Sequence, residues 1–132
     1  MRGVFKGLAA LALAMTVSGA ALADGPDIAK GKKIFARCKA CHTLEEGGPD
    51  RIGPNLHNVI GRTAGTKEGF KYSDSMKQHG ADGLVWSHDT LMTYLKKPSD
   101  MVPGTNMAFP GLKKDDDRAD LIAYIESETT PE

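Results

Sequence analysis

The side chains best suited to chemistry in this sequence are two thiols and an imidazole, Cys38, Cys41 and His42, spaced as C-x-x-C-H. The chain has no other cysteine. Two thiols at this spacing can form a redox-active disulfide, in which the second thiol resolves the first, as in a thiol–disulfide oxidoreductase. They can also be half of a zinc site, but no second pair of Cys or His follows at zinc-finger spacing.

The histidine directly after the second cysteine favours a third chemistry, the covalent attachment of a c-type haem. Thiols three residues apart on a helical turn can reach the two vinyl groups on one porphyrin edge, and the imidazole of His42 then binds the iron from one face. Short motifs also occur by accident, so a chance C-x-x-C beside a surface histidine is the structural alternative.

If His42 binds the iron from one face, the ligand on the opposite face remains to be identified. It must come from a distant part of the chain, because the porphyrin separates the two faces. The candidates are His57, His79, His88, Met76, Met92, Met101 and Met107. Met107 lies in the stretch 103–111, which is too rich in Pro and Gly for a helix or strand. An irregular loop with apolar residues can press a thioether onto a metal, so we expect Met107 to be the ligand.

The other candidates have plainer interpretations. Met92 shares a short apolar helix face with Leu91 and Leu95, which predicts a place in the core. His57 follows a Gly-Pro-Asn-Leu turn and is interpreted as a hydrogen-bonded turn histidine, while His79 and His88 have polar neighbours and are expected to be solvated.

Helices must position these groups. Ile28, Gly31, Phe35 and Cys38 recur at three- and four-residue steps, which predicts an amphipathic helix. Gly31 costs helix propensity, so its place on the buried stripe predicts close approach by another helix. The expected partner is the last helix, about 116–127, with an apolar side formed by Leu121, Ile122, Tyr124 and Ile125.

A third helix is predicted to begin at Ser87 to Asp89 and to stop at Pro98. Of the three consecutive aspartates 115–117, we expect one to cap the last helix and the others to favour its positive end. No alternating run is long enough for a sheet. The pattern predicts an all-α protein folded around one haem, with no internal repeat and no second domain.

Composition sets limits on function. The chain has 132 residues, with 17 Lys plus Arg against 17 Asp plus Glu. This length supports one domain, and the even charge balance argues against a nucleic-acid binder, which needs clustered cations. The hydrophobic fraction of 40% is too high for a disordered chain.

The N-terminus has the three parts of a secretory signal. Arg2 and Lys6 precede an apolar stretch, residues 8–17, and the small residues 21–23 form a cleavage site. Cleavage after Ala23 would leave residues 24–132 as the mature domain, exported to a bacterial periplasm or an equivalent compartment. The alternative is a retained membrane anchor, because residues 7–23 carry no charge.

The sequence resembles the class I cytochromes c, in the branch similar to mitochondrial cytochrome c and its soluble periplasmic counterparts. The matching segments are KGKKIF (30–35), CKACHT (38–43), GPNL (53–56), GRT (61–63), TLM (90–92), YL (94–95), PGT (103–105) and DLIAY (120–124). The resemblance implies the cytochrome c fold, thioether bonds to Cys38 and Cys41, and His42 and Met107 as axial ligands. It also implies that the Pro54 carbonyl accepts the His42 imidazole N–H, since a ligating histidine needs an acceptor to fix its orientation.

The resemblance implies roles for further polar and aromatic residues. Those expected around the haem propionates are Arg62, Tyr72, Trp86 and Thr105. Tyr94 is expected near the Met107 sulfur and Phe109 at the haem edge, although each aromatic could simply fill the core. The sequence departs from the family pattern at Met76, at an apparent insertion over 80–83, and at Asn106 before the ligand.

With His and Met both on the iron, no coordination position remains for a substrate, which predicts a one-electron carrier of high potential rather than an enzyme. An open-site haem protein that binds ligands is the alternative. The chain is expected to be a monomer. The resemblance implies that it takes electrons from a quinol–cytochrome c oxidoreductase, with a dehydrogenase as the alternative donor, and passes them to a terminal oxidase, a photosynthetic reaction centre or a periplasmic reductase. The expected docking ring consists of Arg37, Arg51, Lys96, Lys97, Lys113 and Lys114.

Overall fold

The computed structural model describes residues 25–129 together with Gly3 and Ala12. Apart from those two positions, the predicted signal segment 1–23 and its cleavage point lie outside the described residues. The helices found in the described part are α1 (Ile28–Phe35), α2 (Asp74–Ala81), α3 (His88–Lys96), α4 (Pro98–Met101) and α5 (Asp115–Ser127). The β pairing recorded there is an isolated antiparallel bridge between Thr63 and Val85. The predicted all-α class is confirmed.

Helices α1 and α5 form the most extensive helix pair. They meet at Gly31, where a Cβ atom would overlap the Asp120 carbonyl of α5. The rings of Phe35 and Tyr124 pack beside this point with centroids 5.5 Å apart. The close approach predicted from Gly31 is therefore confirmed. It packs α1, the helix before the C-x-x-C-H motif, directly against α5.

Charged groups extend this helix contact beyond the apolar part. Lys30 lies 2.9 Å from Asp117 and 3.4 Å from Asp120, and the Asp27 N–H donates to Asp120 at 2.8 Å. The predicted burial of Ile28 is wrong, since its exposed fraction is 48%. The reason is that the beginning of α1 faces these α5 carboxylates rather than the apolar side of that helix.

The two other predicted helix starts had different outcomes. Ser87 caps α3 in a reciprocal arrangement, accepting the Thr90 N–H at 3.1 Å while the Thr90 hydroxyl accepts the Ser87 N–H at 2.8 Å. The predicted aspartate cap of α5 is wrong, because α5 begins after Lys114 with no side-chain cap. The three aspartates lie in its first turn, where carboxylates interact favourably with the helix dipole.

Helix α2 was not expected from the sequence. It is only two turns long and mostly polar, and its anchors are a Ser73 cap that accepts the Met76 N–H at 3.0 Å and the buried side chain of Met76. Gly80 packs so closely on Ala64 that a Cβ would overlap the Ala64 carbonyl. The apparent insertion over 80–83 is the end of this helix and the turn that follows it.

Two long segments without helix carry most of the expected site. Residues 43–57, here called the Pro54 loop, follow the C-x-x-C-H motif, and residues 102–114, here called the Met107 loop, connect α4 to α5. Within the described residues, no helix is long and apolar enough to cross a bilayer.

Candidate functional site

The C-x-x-C-H motif winds in tight turns directly after α1. The N–H of Cys38 donates to Phe35 at 2.8 Å, and the N–H groups of Cys41 and His42 both donate to the Cys38 carbonyl, at 3.1 and 2.9 Å. Both thiols are free and half-buried. The anchoring of α1 on α5 therefore fixes where the two thiols and the imidazole lie.

The electrostatics of Cys38 do not suit thiol catalysis. Burial raises the pKa of the Cys38 thiol to about 11, with a smaller opposing effect from Arg37. A catalytic C-x-x-C motif needs a lowered pKa, since the thiolate is the nucleophile. The raised pKa of Cys38 therefore disfavours the thiol–disulfide oxidoreductase interpretation.

His42 is oriented by the backbone of the Pro54 loop. Its Nδ1 lies 2.7 Å from the Pro54 carbonyl oxygen, which can only accept, so Nδ1 carries the proton and Nε2 carries the lone pair. Burial lowers the pKa of His42, an effect the hydrogen bond to Pro54 opposes. The imidazole is therefore neutral at neutral pH, the form that binds a metal.

Gly53 lets the backbone press against this imidazole. A Cβ at position 53 would lie 2.6 Å from Nδ1 and 2.8 Å from Nε2 of His42, far inside contact distance. The Gly53 N–H also donates to the Cys41 carbonyl at 2.8 Å. Because Gly53 has no side chain, its backbone can pack against one face of the His42 ring and restrict the ring's orientation.

A buried asparagine organises the Pro54 loop. The Asn55 side-chain amide donates to the Thr43 hydroxyl at 2.8 Å and to the Glu45 carbonyl at 2.9 Å, and its oxygen accepts the His57 N–H at 3.0 Å. Thr43 in turn donates to the Pro49 carbonyl at 2.7 Å. Sequence analysis assigned no role to Asn55 or Thr43, although both lie in segments that carry the family resemblance.

Met107 is half-buried in an irregular loop, as its Pro- and Gly-rich surroundings predict. The Tyr94 hydroxyl lies 3.5 Å from the Met107 sulfur and 3.1 Å from the Thr105 hydroxyl. The Met107 N–H donates to the same Thr105 hydroxyl at 3.3 Å. Tyr94 is buried and packs on Trp86 with centroids 4.8 Å apart. Tyr94 and Thr105 thus contact Met107 directly, and Trp86 packs behind the Tyr94 ring.

Three of the residues expected to contact the haem also have partners within the protein chain. Arg62 donates to the carbonyls of Asn55 at 3.1 Å and His57 at 2.6 Å. The Tyr72 hydroxyl accepts the Lys67 N–H at 3.1 Å. Phe109 is half-buried and packs on the core.

The other histidines and methionines considered as iron ligands have partners of their own in the protein. His57 is buried, with Nδ1 3.2 Å from the Leu44 carbonyl, and His88 is exposed beside Asp89. His79 is half-buried rather than solvated, with Nδ1 2.8 Å from the Ser75 carbonyl. Met76 is buried in α2 and Met92 packs on the core from α3.

The arrangement fits a c-type haem. A turn presents two free thiols beside a neutral imidazole whose Nε2 lone pair is left for a metal, and several apolar side chains keep part of their surface uncovered. Those packed against the core are Ile34, Cys38, Leu56, Ile60, Tyr72, Leu84, Met92, Met101, Met107 and Phe109. The fold and the site thus define a small all-α protein of the c-type haem class.

Comparison with known proteins gives the family. The chain matches the cytochrome c family model over residues 28–129. "Cytochrome c" of Stellaria longipes is 51% identical over 104 residues, which cover 78% of this chain and 94% of that protein. "Cytochrome c2" of Afifella marina is 45% identical over 103 residues, covering 78% and 83%. "Cytochrome c-550" of Ancylobacter novellus is 44% identical over 99 residues, covering 75% and 92%.

The chain therefore belongs to the cytochrome c family and is a class I cytochrome c. It binds one haem c, attached through Cys38 and Cys41, and is a monohaem electron carrier. The predicted family, fold class and cofactor are confirmed.

Proposed function

We propose that this cytochrome carries single electrons between membrane redox complexes, with His42 and Met107 as the axial ligands of its haem iron. The observation that carries the ligand assignment is the 2.7 Å hydrogen bond from His42 Nδ1 to Pro54, which leaves Nε2 to face a metal. The bound haem supplies a one-electron couple between ferric and ferrous iron.

The chain's own residues hold and shield this couple. The Pro54 carbonyl orients His42, while the Tyr94 hydroxyl of α3 contacts the Met107 sulfur and the Thr105 hydroxyl accepts the Met107 N–H. Because both ligands come from the protein, a closed site favours electron transfer over the binding of small molecules. A thioether ligand and burial both favour the ferrous form, so the proposal includes a high, positive potential.

We further propose that polar donors near the haem receive its propionates. The candidates are Arg62, Tyr72, Trp86 and Thr105, and carboxylates taken out of water need such donors. Arg62 has five N–H donors, of which backbone carbonyls occupy two in the hydrogen bonds described above. Phe109 is assigned to the haem edge.

The proposed partners follow the family resemblance. A quinol–cytochrome c oxidoreductase is the donor, and a terminal oxidase or a photosynthetic reaction centre is the acceptor. All six predicted docking residues are exposed, namely Arg37, Arg51, Lys96, Lys97, Lys113 and Lys114. A cationic docking face steers association, so electron transfer to a cytochrome c oxidase should slow as ionic strength rises. Rates that do not change with salt would contradict this face.

We also propose that the chain is exported to the periplasm as a monomer after cleavage behind Ala23. The support is the three-part N-terminal pattern and the bacterial relatives named cytochrome c2 and cytochrome c-550. The test is cell fractionation followed by mass measurement of the haem-containing product. A mature chain that begins at Asp24 is expected, whereas a full-length chain in the membrane fraction would favour the retained anchor.

The ligand assignment is tested by an absorption spectrum of the reduced protein with and without carbon monoxide. A closed site predicts a low-spin c-type spectrum that carbon monoxide leaves unchanged at neutral pH. Ready formation of a carbon monoxide adduct would favour the open-site alternative.

A further inference from the structure

A continuous chain of hydrogen bonds runs from His42 to the carboxylate of Asp50 in the Pro54 loop. His42 Nδ1 donates to the Pro54 carbonyl at 2.7 Å, and the N–H of the same peptide group, that of Asn55, donates to Asp50 Oδ1 at 2.8 Å. The two ends of one peptide group thus connect the imidazole to Asp50. Lys67 closes the chain, with its ammonium 2.9 Å from one Asp50 oxygen and 3.0 Å from the other.

Hydrogen bonds in series polarise one another, and those made to charged groups are the stronger ones. An anion that accepts the N–H of a peptide group polarises that group, so that its carbonyl oxygen becomes more negative. The Asn55 N–H and, to a smaller extent, Lys67 hold the pKa of Asp50 below its ordinary value, so Asp50 is anionic at neutral pH. The Pro54 carbonyl is therefore a stronger acceptor than an ordinary amide.

The position of this peptide does not depend on Asp50 alone. The Asn55 side chain is bound to Thr43 and Glu45, and Gly53 packs against the His42 ring. Asp50 and Lys67 are each about one quarter exposed, so water screens their charges only in part. Changing either charge should therefore alter the polarisation of the peptide while the loop keeps its shape.

We infer that Asp50 is a positioning residue for His42, which acts through the Pro54–Asn55 peptide group to strengthen the hydrogen bond at Nδ1, and that Lys67 moderates its effect. The inference rests on the proposed role of His42 as an iron ligand. A stronger bond at Nδ1 makes the imidazole more electron-rich, and outer partners of this kind raise ligand basicity. An electron-rich ligand stabilises ferric iron, so Asp50 lowers the reduction potential and Lys67 raises it.

The two charges therefore predict shifts of opposite sign. Asp50→Asn keeps an oxygen that can accept the Asn55 N–H but removes the anion, so the midpoint potential should rise. Lys67→Met keeps the aliphatic stem but removes the moderating cation, so the midpoint potential should fall. A contact that only stabilised the loop would be broken equally by either variant, which predicts changes in the same direction.

The experiment uses the haem-loaded full chain and measures the midpoint potential together with the NMR resonance of the His42 Nδ1 proton in the ferrous state. The matched controls are Asp74→Asn and Lys77→Met, which change the same charges in an exposed pair 3.4 Å apart on α2. We expect the Nδ1 proton to move upfield in Asp50→Asn and downfield in Lys67→Met, with smaller shifts in the controls. The midpoint potential and the Nδ1 resonance of Asp50→Glu should stay closer to the native values than those of Asp50→Asn.

Potentials that move as little as in the controls, or an Nδ1 resonance that stays in place while the potential moves, would overturn the inference in favour of direct charge effects. These outcomes leave the ligand assignment intact, because the native protein still shows a closed His–Met spectrum. A native protein without that spectrum would instead overturn the proposed ligands, and the inference with them.

Discussion

The Pro54 loop is tied along its length, whereas the Met107 loop is tied mainly at its ends. In the Pro54 loop, Asn55 alone joins Thr43, Glu45 and His57, and Asp50 adds a further hydrogen bond. In the Met107 loop, the Thr105 N–H donates to Val102 at 3.0 Å and the Leu112 N–H to Leu95 at 2.8 Å. Between these ends, Met107 packs against the core and its hydrogen-bond partners are Thr105 and Tyr94.

The difference lies in which group each loop must hold. The Pro54 loop supports a backbone carbonyl, which is held by fixing the peptides around it. The Met107 loop presents a flexible thioether, which a hydroxyl of Tyr94 contacts at 3.5 Å. Regions with few hydrogen bonds open at lower cost in free energy. The Met107 loop should therefore open before the Pro54 loop.

The largest expected effect comes from Met107→Ala, which removes the proposed ligand from the more weakly tied loop. Ferrous protein of this variant should bind carbon monoxide readily, because the sixth position is open, while its haem stays attached. The absorption spectrum with and without carbon monoxide measures this. Met101→Ala, a half-buried methionine on α4, is the control and should leave the site closed. Unchanged ligation in Met107→Ala would refute the assignment.

Asn55→Ala tests how firmly the Pro54 loop is tied. Three side-chain hydrogen bonds are lost in a buried place, and the free energy of unfolding should fall by about 3 kcal/mol. On the other loop, Thr105→Val removes two hydrogen bonds, with the Tyr94 hydroxyl and the Met107 N–H, and should cost about 2 kcal/mol. Urea unfolding of the haem-loaded proteins measures both, and equal losses would contradict the proposed contrast between the loops.

Gly53→Ala tests the packing of the His42 ring. The added methyl group would lie within 2.8 Å of both ring nitrogens, so the loop must shift, at a cost of about 2 kcal/mol. Thermal unfolding measures the loss. Gly25→Ala is the control, because a Cβ there has no neighbour within 4 Å. A variant as stable as the control would show that the loop adapts freely.

The smallest effect is expected for Tyr94→Phe, which removes the hydroxyl beside the Met107 sulfur but keeps the buried ring. Loss of this hydrogen bond should make displacement of the Met107 side chain easier by about 1 kcal/mol. Titration with imidazole as a competing ligand measures it, because the methionine should be displaced at a lower imidazole concentration than in the native protein. Displacement at an unchanged concentration would mean that the hydroxyl does not steady the thioether.

Much of the fold could be predicted because its signals are local. The stripe through Gly31 and Phe35 predicted α1 and its close contact with α5, and Ser87 predicted the start of α3. The failures arose where the contact partner decided the outcome. Ile28 continues the apolar stripe but is exposed, because its neighbours Asp27 and Lys30 contact carboxylates of α5. Helix α2 is short and polar, and it depends on the Ser73 cap and on the packing of Met76 and Gly80.

The candidate site divides in the same way. The reactive groups could be identified without a structure, because Cys38, Cys41 and His42 are neighbours whose spacing depends only on the covalent chain, and the irregular stretch around Met107 is visible in its Pro and Gly content. What orients those groups became visible only in the folded chain. Asn55, Asp50 and Lys67 have no distinctive local pattern, and their roles arise because folding brings distant backbone groups within hydrogen-bonding distance, which depends on the path of the whole chain.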